Sequence, residues 1–264
     1  MTRPPIRFNC VGCGDCCRGR HGFMSLTLAE TVAWLRRGQR VAVLLEAFPA
    51  SGEQEAGPGL QLPVDYGVEV RSGGMGLRIA PVFGADLQAG CPNLADDNAC
   101  RIYDDRPAVC RLYPAQTHPL SVFRMDTRAC PPEAWNPPAG VILVEEDGRM
   151  PPGIQAMVEA FQGELGRDAA AKVAICEALG VHLAGWRGNG IVIHIPSVQD
   201  FLDAIAQAGA RTEGPAPLSW ALRVVGAELA AKLADADAQL YAGDGRAAHV
   251  FMPMATSSGD PRAS

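Results

Sequence analysis

No apolar run in this 264-residue chain approaches the roughly 18 residues that a membrane-spanning helix needs. An excess of basic residues is missing too, since the net charge is −6 and the sequence pI about 5.4. Both facts argue against affinity for nucleic acid or for an anionic membrane. The start, Met1-Thr2-Arg3-Pro4-Pro5-Ile6, has a basic residue but no apolar segment ahead of the first cysteine, so no secretory signal is read there. A cytoplasmic location is expected, where reducing conditions keep thiols free. No phosphate loop of the form Gly-x4-Gly-Lys-Ser/Thr occurs. Gly73-Gly74-Met75-Gly76, Gly188-Asn189-Gly190 and Gly243-Asp244-Gly245 are glycine-rich, but none lies between a strand and a following helix as a nucleotide-binding turn does. All three read as turns. There is no internal repeat. With 48% hydrophobic and 20% charged residues the balance is globular, and the length allows one large domain or two small ones.

Cysteine is what the chain has in unusual distribution. Eight of its nine cysteines lie in the first half, and four fall within Cys10-Val11-Gly12-Cys13-Gly14-Asp15-Cys16-Cys17. Cysteine used for packing sits singly among aliphatic residues. Here the neighbours are glycine and aspartate, which build turns and let several sulfurs point at one centre. The spacing Cys-x2-Cys-x2-Cys matches the first three ligands of a ferredoxin-type iron–sulfur run. It also contains the Cys-x2-Cys knuckle of structural zinc sites. A disulfide framework is the competing reading, but the chain is long, reads as unsecreted, and leaves an odd thiol. Asp15 is either a turn residue or an oxygen ligand. Cys176, inside an apolar helical stretch, reads as packing.

The second cysteine region contains Cys91-Pro92-Asn93-Leu94, Cys100-Arg101-Ile102-Tyr103, Arg106-Pro107-Ala108-Val109-Cys110-Arg111-Leu112-Tyr113-Pro114 and Cys130-Pro131. A Cys-Pro pair also closes ferredoxin-type runs. Proline fixes φ and donates no N–H, which helps hold a chain reversal beside a metal. Cys91 or Cys130 is thus a candidate fourth ligand for a centre begun by Cys10, Cys13 and Cys16. Arg106 and Arg111 flank Cys110 and are candidate cofactor-binding residues, because guanidinium offsets the negative charge of a thiolate-ligated cluster. The plainer reading puts both on a solvated face. Tyr103 and Tyr113 either cover the site or join the core. His21 and His118 lie near the cysteine regions; either completes a mixed Cys/His site or, the plainer reading with eight thiols at hand, is a surface or supporting residue. No spacing singles out a catalytic Cys/His/Asp triad.

These motifs, in this order over about residues 8 to 131, resemble the YkgJ-like family of zinc- or iron-chelating proteins with the CxxCxxCC domain. The resemblance implies that Cys10, Cys13, Cys16, Cys17, Cys91, Cys100, Cys110 and Cys130 are metal ligands. The family in turn resembles the cysteine-rich part of flagellin lysine N-methylases, which implies an iron–sulfur cluster and, as an alternative function, methylation of protein lysine with S-adenosylmethionine.

Thr27-Leu28-Ala29-Glu30 predicts a capping box opening a helix to about Arg37, stopped by Gly38. Val41–Phe48 is a strand or a short helix, and Pro49–Pro63 a loop. Val68–Arg71 and Leu77–Phe83 read as strands, the second at a sheet edge because of Pro81. Val141–Val144 closes the first half. Beyond Pro152, two helices (Gly153–Leu165, Asp168–Leu179), a strand (Gly190–Ile195), a helix capped by Ser197 and a long helix Leu218–Leu240 are expected. The fold class expected is α+β. Residues 1–150 would form an irregular, metal-stapled domain, residues 151–256 a mostly helical C-terminal part, and 257–264 a disordered tail. The expected function is a metal-binding protein carrying a [4Fe–4S] cluster or zinc, serving a protein partner or acting on a protein substrate.

Overall fold

The computed structural model describes residues 4–18, 22–50, 66–115, 117, 123–210, 219–243 and 249–254. It has α-helices and β-strands in both halves of the chain. Two compact units divide it: Met1–Gln39 with Gly84–Arg167, and Arg40–Phe83 with Asp168–Ser264. Neither unit is one continuous stretch, and all eight clustered cysteines belong to the first.

The first unit is closed at its chain ends. Strand β1 (Ile6–Phe8) pairs antiparallel with β6 (Val141–Val144), Ile6 opposite Val144 and Phe8 opposite Val141. Phe8, Ala115, Ala134, Leu143 and Val144 form a buried cluster against which Ile6, Phe123, Cys130 and Trp135 pack. The Phe8 and Trp135 rings lie 5.2 Å apart. Each large apolar side chain so buried contributes about 1.5–3 kcal/mol. The Asn9 N–H donates to the Ala134 carbonyl at 2.9 Å. Because β1 runs into Cys10 and Cys130 precedes Trp135 and β6, this small core brings the outermost clustered cysteines to one end of the unit.

Between those strands stand β2 (Phe23–Leu26), α1 (Leu28–Arg36) and α2 (Ala108–Leu112). The capping box of α1 is present. Thr27 Oγ1 accepts from the Glu30 N–H at 3.2 Å, and Glu30 Oε2 accepts from the Thr27 N–H at 3.0 Å. The other oxygen of Glu30 accepts from the Ala108 N–H at 2.6 Å, at the first residue of α2. One carboxylate therefore caps α1 and ties it to the helix that carries Cys110. Helix α2 packs through Leu112 on Val158 and Phe161 of α3 (Pro152–Ala178).

The second unit is built on a mixed sheet. Strand β3 (Val41–Pro49) runs antiparallel to β8 (Gly190–His194) and parallel to β7 (Leu183–Trp186). Strand β10 (His249–Pro253) extends β8, and β9 (Ala221–Arg223) extends β7. On the other side of β3 lies β5 (Met75–Asp86), which forms a hairpin with β4 (Val68–Ser72). Leu45, Leu77, Ile79, Phe83, Phe201 and Trp220 are fully buried there. Helix α4 (Val198–Ala210) opens at Ser197, whose Oγ accepts from the Asp200 N–H at 3.1 Å.

Four expectations are corrected. The C-terminal part is not mostly helical: β7–β10 share it with α3, α4 and α5 (Ala227–Asp235), and helices also stand in the first half. The two helices expected on either side of Gly166 are one, α3, since a mid-helix glycine costs only about 1 kcal/mol, less than the packing of the apolar face on both sides of it returns. The long helix expected at Leu218–Leu240 is a strand and a short helix: Leu222 is paired in β9, and Gly226 at φ +101° starts α5. Pro81 sits in β5, which has neighbours on both sides and is no edge strand. The loop expected at Pro49–Pro63 falls almost wholly outside the described residues, as do His21, His118 and the tail 257–264. Among the described residues no helix is long and apolar enough to cross a membrane.

Candidate metal centre

The first cysteine run folds on its glycines. Gly12 and Gly14 take φ of +68° and +74°, left-handed values that cost other residues about 1–2 kcal/mol. Gly14 then starts a single 3-10 turn, Asp15–Cys17, closed by the Cys17 N–H on the Gly14 carbonyl at 2.9 Å. Cys13 Sγ accepts from the Asp15 N–H at 3.5 Å. The Asp15 carboxylate is held by Arg18 at 2.9 Å, which favours its turn role. Arg18 also donates to the Cys13 carbonyl and to Asn98 in the second cysteine region.

The second region meets the first backbone to backbone. The Cys91 N–H donates to the Cys17 carbonyl at 2.6 Å. A tight reversal follows: Leu94 bridges Cys100, the Ala95 N–H donates to the Ala99 carbonyl, and Asn98 turns the chain at φ +67°. That reversal returns Cys100 to Leu94, and Cys91 and Cys100 line the same cavity. Cys110 comes in on α2, its Sγ 3.0 Å from Met24 Sδ on β2.

Six thiols from both regions (Cys10, Cys16, Cys17, Cys91, Cys100 and Cys110) line one cavity of about 660 Å³. Cys16 and Cys17 Sγ are 3.8 Å apart. Met24, Trp34, Tyr103 and Tyr113 complete the apolar wall, and Arg106 and Arg128 supply positive charge. Cys13 and Cys130 are not on this wall. Cys130 packs on the Phe8 cluster beside Tyr113, whose hydroxyl accepts from the Ala129 N–H at 2.7 Å. Arg111 is exposed on α2, away from the cavity. Arg106 donates from Nε to the Tyr103 carbonyl at 2.9 Å and stacks 3.7 Å from the Tyr103 ring, which is itself 61% exposed.

The thiols are electrostatically unlike. Hydrogen bonding between the Cys16 and Cys17 thiols lowers the Cys16 pKa to about 7. Interaction with the Cys17 thiol and with the N–H groups of Asn93 and Leu94 lowers Cys91 to about 6. The same two neighbours, with burial, push Cys17 far up. Burial raises Cys110 to about 12, helped by Cys91, Cys16 and Cys100 and opposed by Arg106. Two thiols of the wall are thus prepared to ionise, while Cys17 and Cys110 hold their protons unless a cation takes their place. In donor chemistry the set fits a thiophilic metal, soft sulfur in a partly buried site with two guanidinium groups. As placed, the sulfurs surround a volume: among the described residues no three Cys, His, Asp or Glu side chains form a ready group around a single ion.

Sequence reading missed Met24, Trp34 and Arg128. They stand far from the motifs along the chain, and nothing local marks an isolated methionine, tryptophan or arginine as belonging to a site. The other histidines described, His182, His194 and His249, belong to the second unit. Burial pushes Cys176 up in α3, in keeping with its packing role.

Residues 9–131 match the CxxCxxCC family model, described as "Putative zinc- or iron-chelating domain". No curated protein and no solved structure matches the chain.

Proposed function

Because residues 9–131 belong to the CxxCxxCC family, we propose that the chain holds an iron–sulfur cluster, a [4Fe–4S] centre, on thiolates from both cysteine regions. It serves as a cluster-carrying or accessory module for a protein partner. The observation that carries this reading is the single cavity walled by six thiols drawn from stretches more than 70 residues apart. A space of about 660 Å³ suits a polynuclear centre. Arg106 and Arg128 on its wall offset the negative charge of a thiolate-ligated cluster. Four of Cys10, Cys16, Cys17, Cys91, Cys100 and Cys110 would ligate, with Cys13 and Cys130 behind them. Bound, the cluster supplies one-electron redox capacity, and the chain supplies ligands, burial and positive charge.

Metal content and an optical spectrum of protein purified without oxygen test the reading. Roughly four irons per chain, with visible absorption that bleaches on reduction, is the expected result. A colourless protein with one or two zincs replaces the cluster by tetrahedral thiolate sites, for which eight thiols suffice. A protein free of both metals ends the reading.

A further inference from the structure

Strand β10 ends the order of the second unit's sheet and is paired among the described residues with β8 alone. Val250 and Met252 on it are 58% and 45% exposed, so few packed contacts keep the strand in place. Its first residue, His249, stands opposite His194 across the ladder, with the two rings 5.5 Å apart. His249 Nε2 lies 2.7 Å from a guanidinium nitrogen of Arg223 on β9. Guanidinium has donors and no acceptor, and it keeps its charge at any ordinary pH. Nε2 must therefore bring a lone pair, which fixes His249 as the neutral ring with its proton on Nδ1. Protonating Nε2 removes that acceptor and sets a second cation against Arg223.

We propose that β10 is an acid-released strap: protonation of His249 breaks its contact with Arg223 and frees β10 from β8, baring the β8 edge. The surroundings oppose the new charge. The described groups against His249 are Arg223, His194 and Tyr241, whose ring is 5.2 Å away, and none of them is a carboxylate. Burial, and then Arg223, hold the His249 pKa below its usual value. Burial pushes His194 down to about 4, with a smaller push from His249, against the hydrogen bond that its Nε2–H donates to the Leu183 carbonyl at 3.4 Å. Asp200 and Asp203 of α4 line a cavity with His194 but are engaged elsewhere. Ser197 Oγ donates to Asp200 at 2.6 Å, and Gln199 Nε2 to Asp203 at 2.8 Å. Detachment returns both imidazoles to water, so the released strand binds protons more readily. The hold is complete above about pH 6.5 and is lost as pH falls below it towards about 4. The other ties of β10 carry no charge: the Phe251 ring lies on Gly190, where a Cβ would collide with it, and the Met254 N–H donates to the Asn189 carbonyl at 3.0 Å. They set the strength of the strap and not its response to acid. The device is separate from the thiol cavity, whose cysteines belong to the other unit.

The test uses the full chain labelled with nitrogen-15. At about pH 7.5 the ring nitrogens of His249 should show the Nδ1–H tautomer. Between about pH 7.5 and 5.5, amide exchange in β10, corrected for its intrinsic rate, should speed up about 10-fold, while that of the β4–β5 hairpin stays level. His249→Gln offers Arg223 a neutral acceptor that takes no proton, and it should cut the change to about 3-fold or less. An Nε2–H tautomer, a β10 whose protection ignores pH, or a His249→Gln chain as acid-sensitive as the unsubstituted one overturns the proposal. Should His249→Gln fail to fold, the tautomer and the exchange in the unsubstituted chain decide.

Discussion

Cys91 and Cys16 are the wall thiols that ionise first, because the neighbouring Cys17 thiol favours the thiolate of each. Their folded-state values lie below that of an ordinary thiol, about 8.5, so each gains thiolate as pH rises through its lowered value. In reduced, metal-free protein, alkylation of Cys91 should rise through about pH 6 and that of Cys16 through about pH 7, with Cys110 lagging until about pH 12. Peptide mass spectrometry after timed iodoacetamide treatment reads this order, and early labelling of Cys110 would refute it. The same two groups stabilise the folded metal-free unit above the ordinary thiol value, and that contribution is lost as pH falls through about 7 and then 6. Gly14 is the second residue on which the run depends. A methyl group there would stand 3.2–3.3 Å from Arg18, Asn98 and Leu94, at φ +74°. Gly14→Ala should cost about 1–2 kcal/mol in denaturant unfolding, and a neutral result would mean that the run tolerates another backbone path.

At the scale of elements, α1 and α2 act as a pair through Glu30. Thr27→Ala removes a cap and should cost about 1 kcal/mol. Glu30→Ala removes the reciprocal cap and the bond to the Ala108 N–H as well, so it should cost more than Thr27→Ala. It should also weaken metal retention, which Thr27→Ala leaves nearly intact. Equal effects of the two variants on chelator competition would show that α1 does not position Cys110. Both stability losses read out in urea melts. The capping box was legible because its two partners are three residues apart. The link from Glu30 to Ala108 was not, because it joins residues 78 positions apart by a contact only the packed unit contains.

At the scale of the molecule, the eight clustered cysteines and the cavity belong to one compact unit, and the buried core of the other contains none of them. Metal removal should therefore act unevenly. With a strong chelator under reducing conditions, amide hydrogen exchange should speed up around Cys17, Cys91 and Leu94, whose mutual backbone bonds close the cavity. The β3–β8 ladder, with Leu45 opposite Val192, should keep its protection. If the chelated protein keeps full protection in the first unit, the centre is peripheral to its folding.

What the sequence determined by itself is the local chemistry: a thiol run with glycines at its turns, the capping box of α1 and the cap at Ser197, the strands that begin at Val68 and Gly190, and the lack of an apolar run long enough to span a membrane. Each of these rests on residues within a few positions of one another, where steric and hydrogen-bonding preferences act without help from the rest of the chain. Only the tertiary structure decided which thiols share a wall, that Cys13 and Cys130 stand off it, that Met24, Trp34 and Arg128 join it, and that α3 runs unbroken through Gly166. It also decided that Leu222 lies in a strand, since pairing with β7 outweighs a helical apolar pattern. Burial and long-range pairing set these outcomes, and both depend on neighbours that linear spacing does not name.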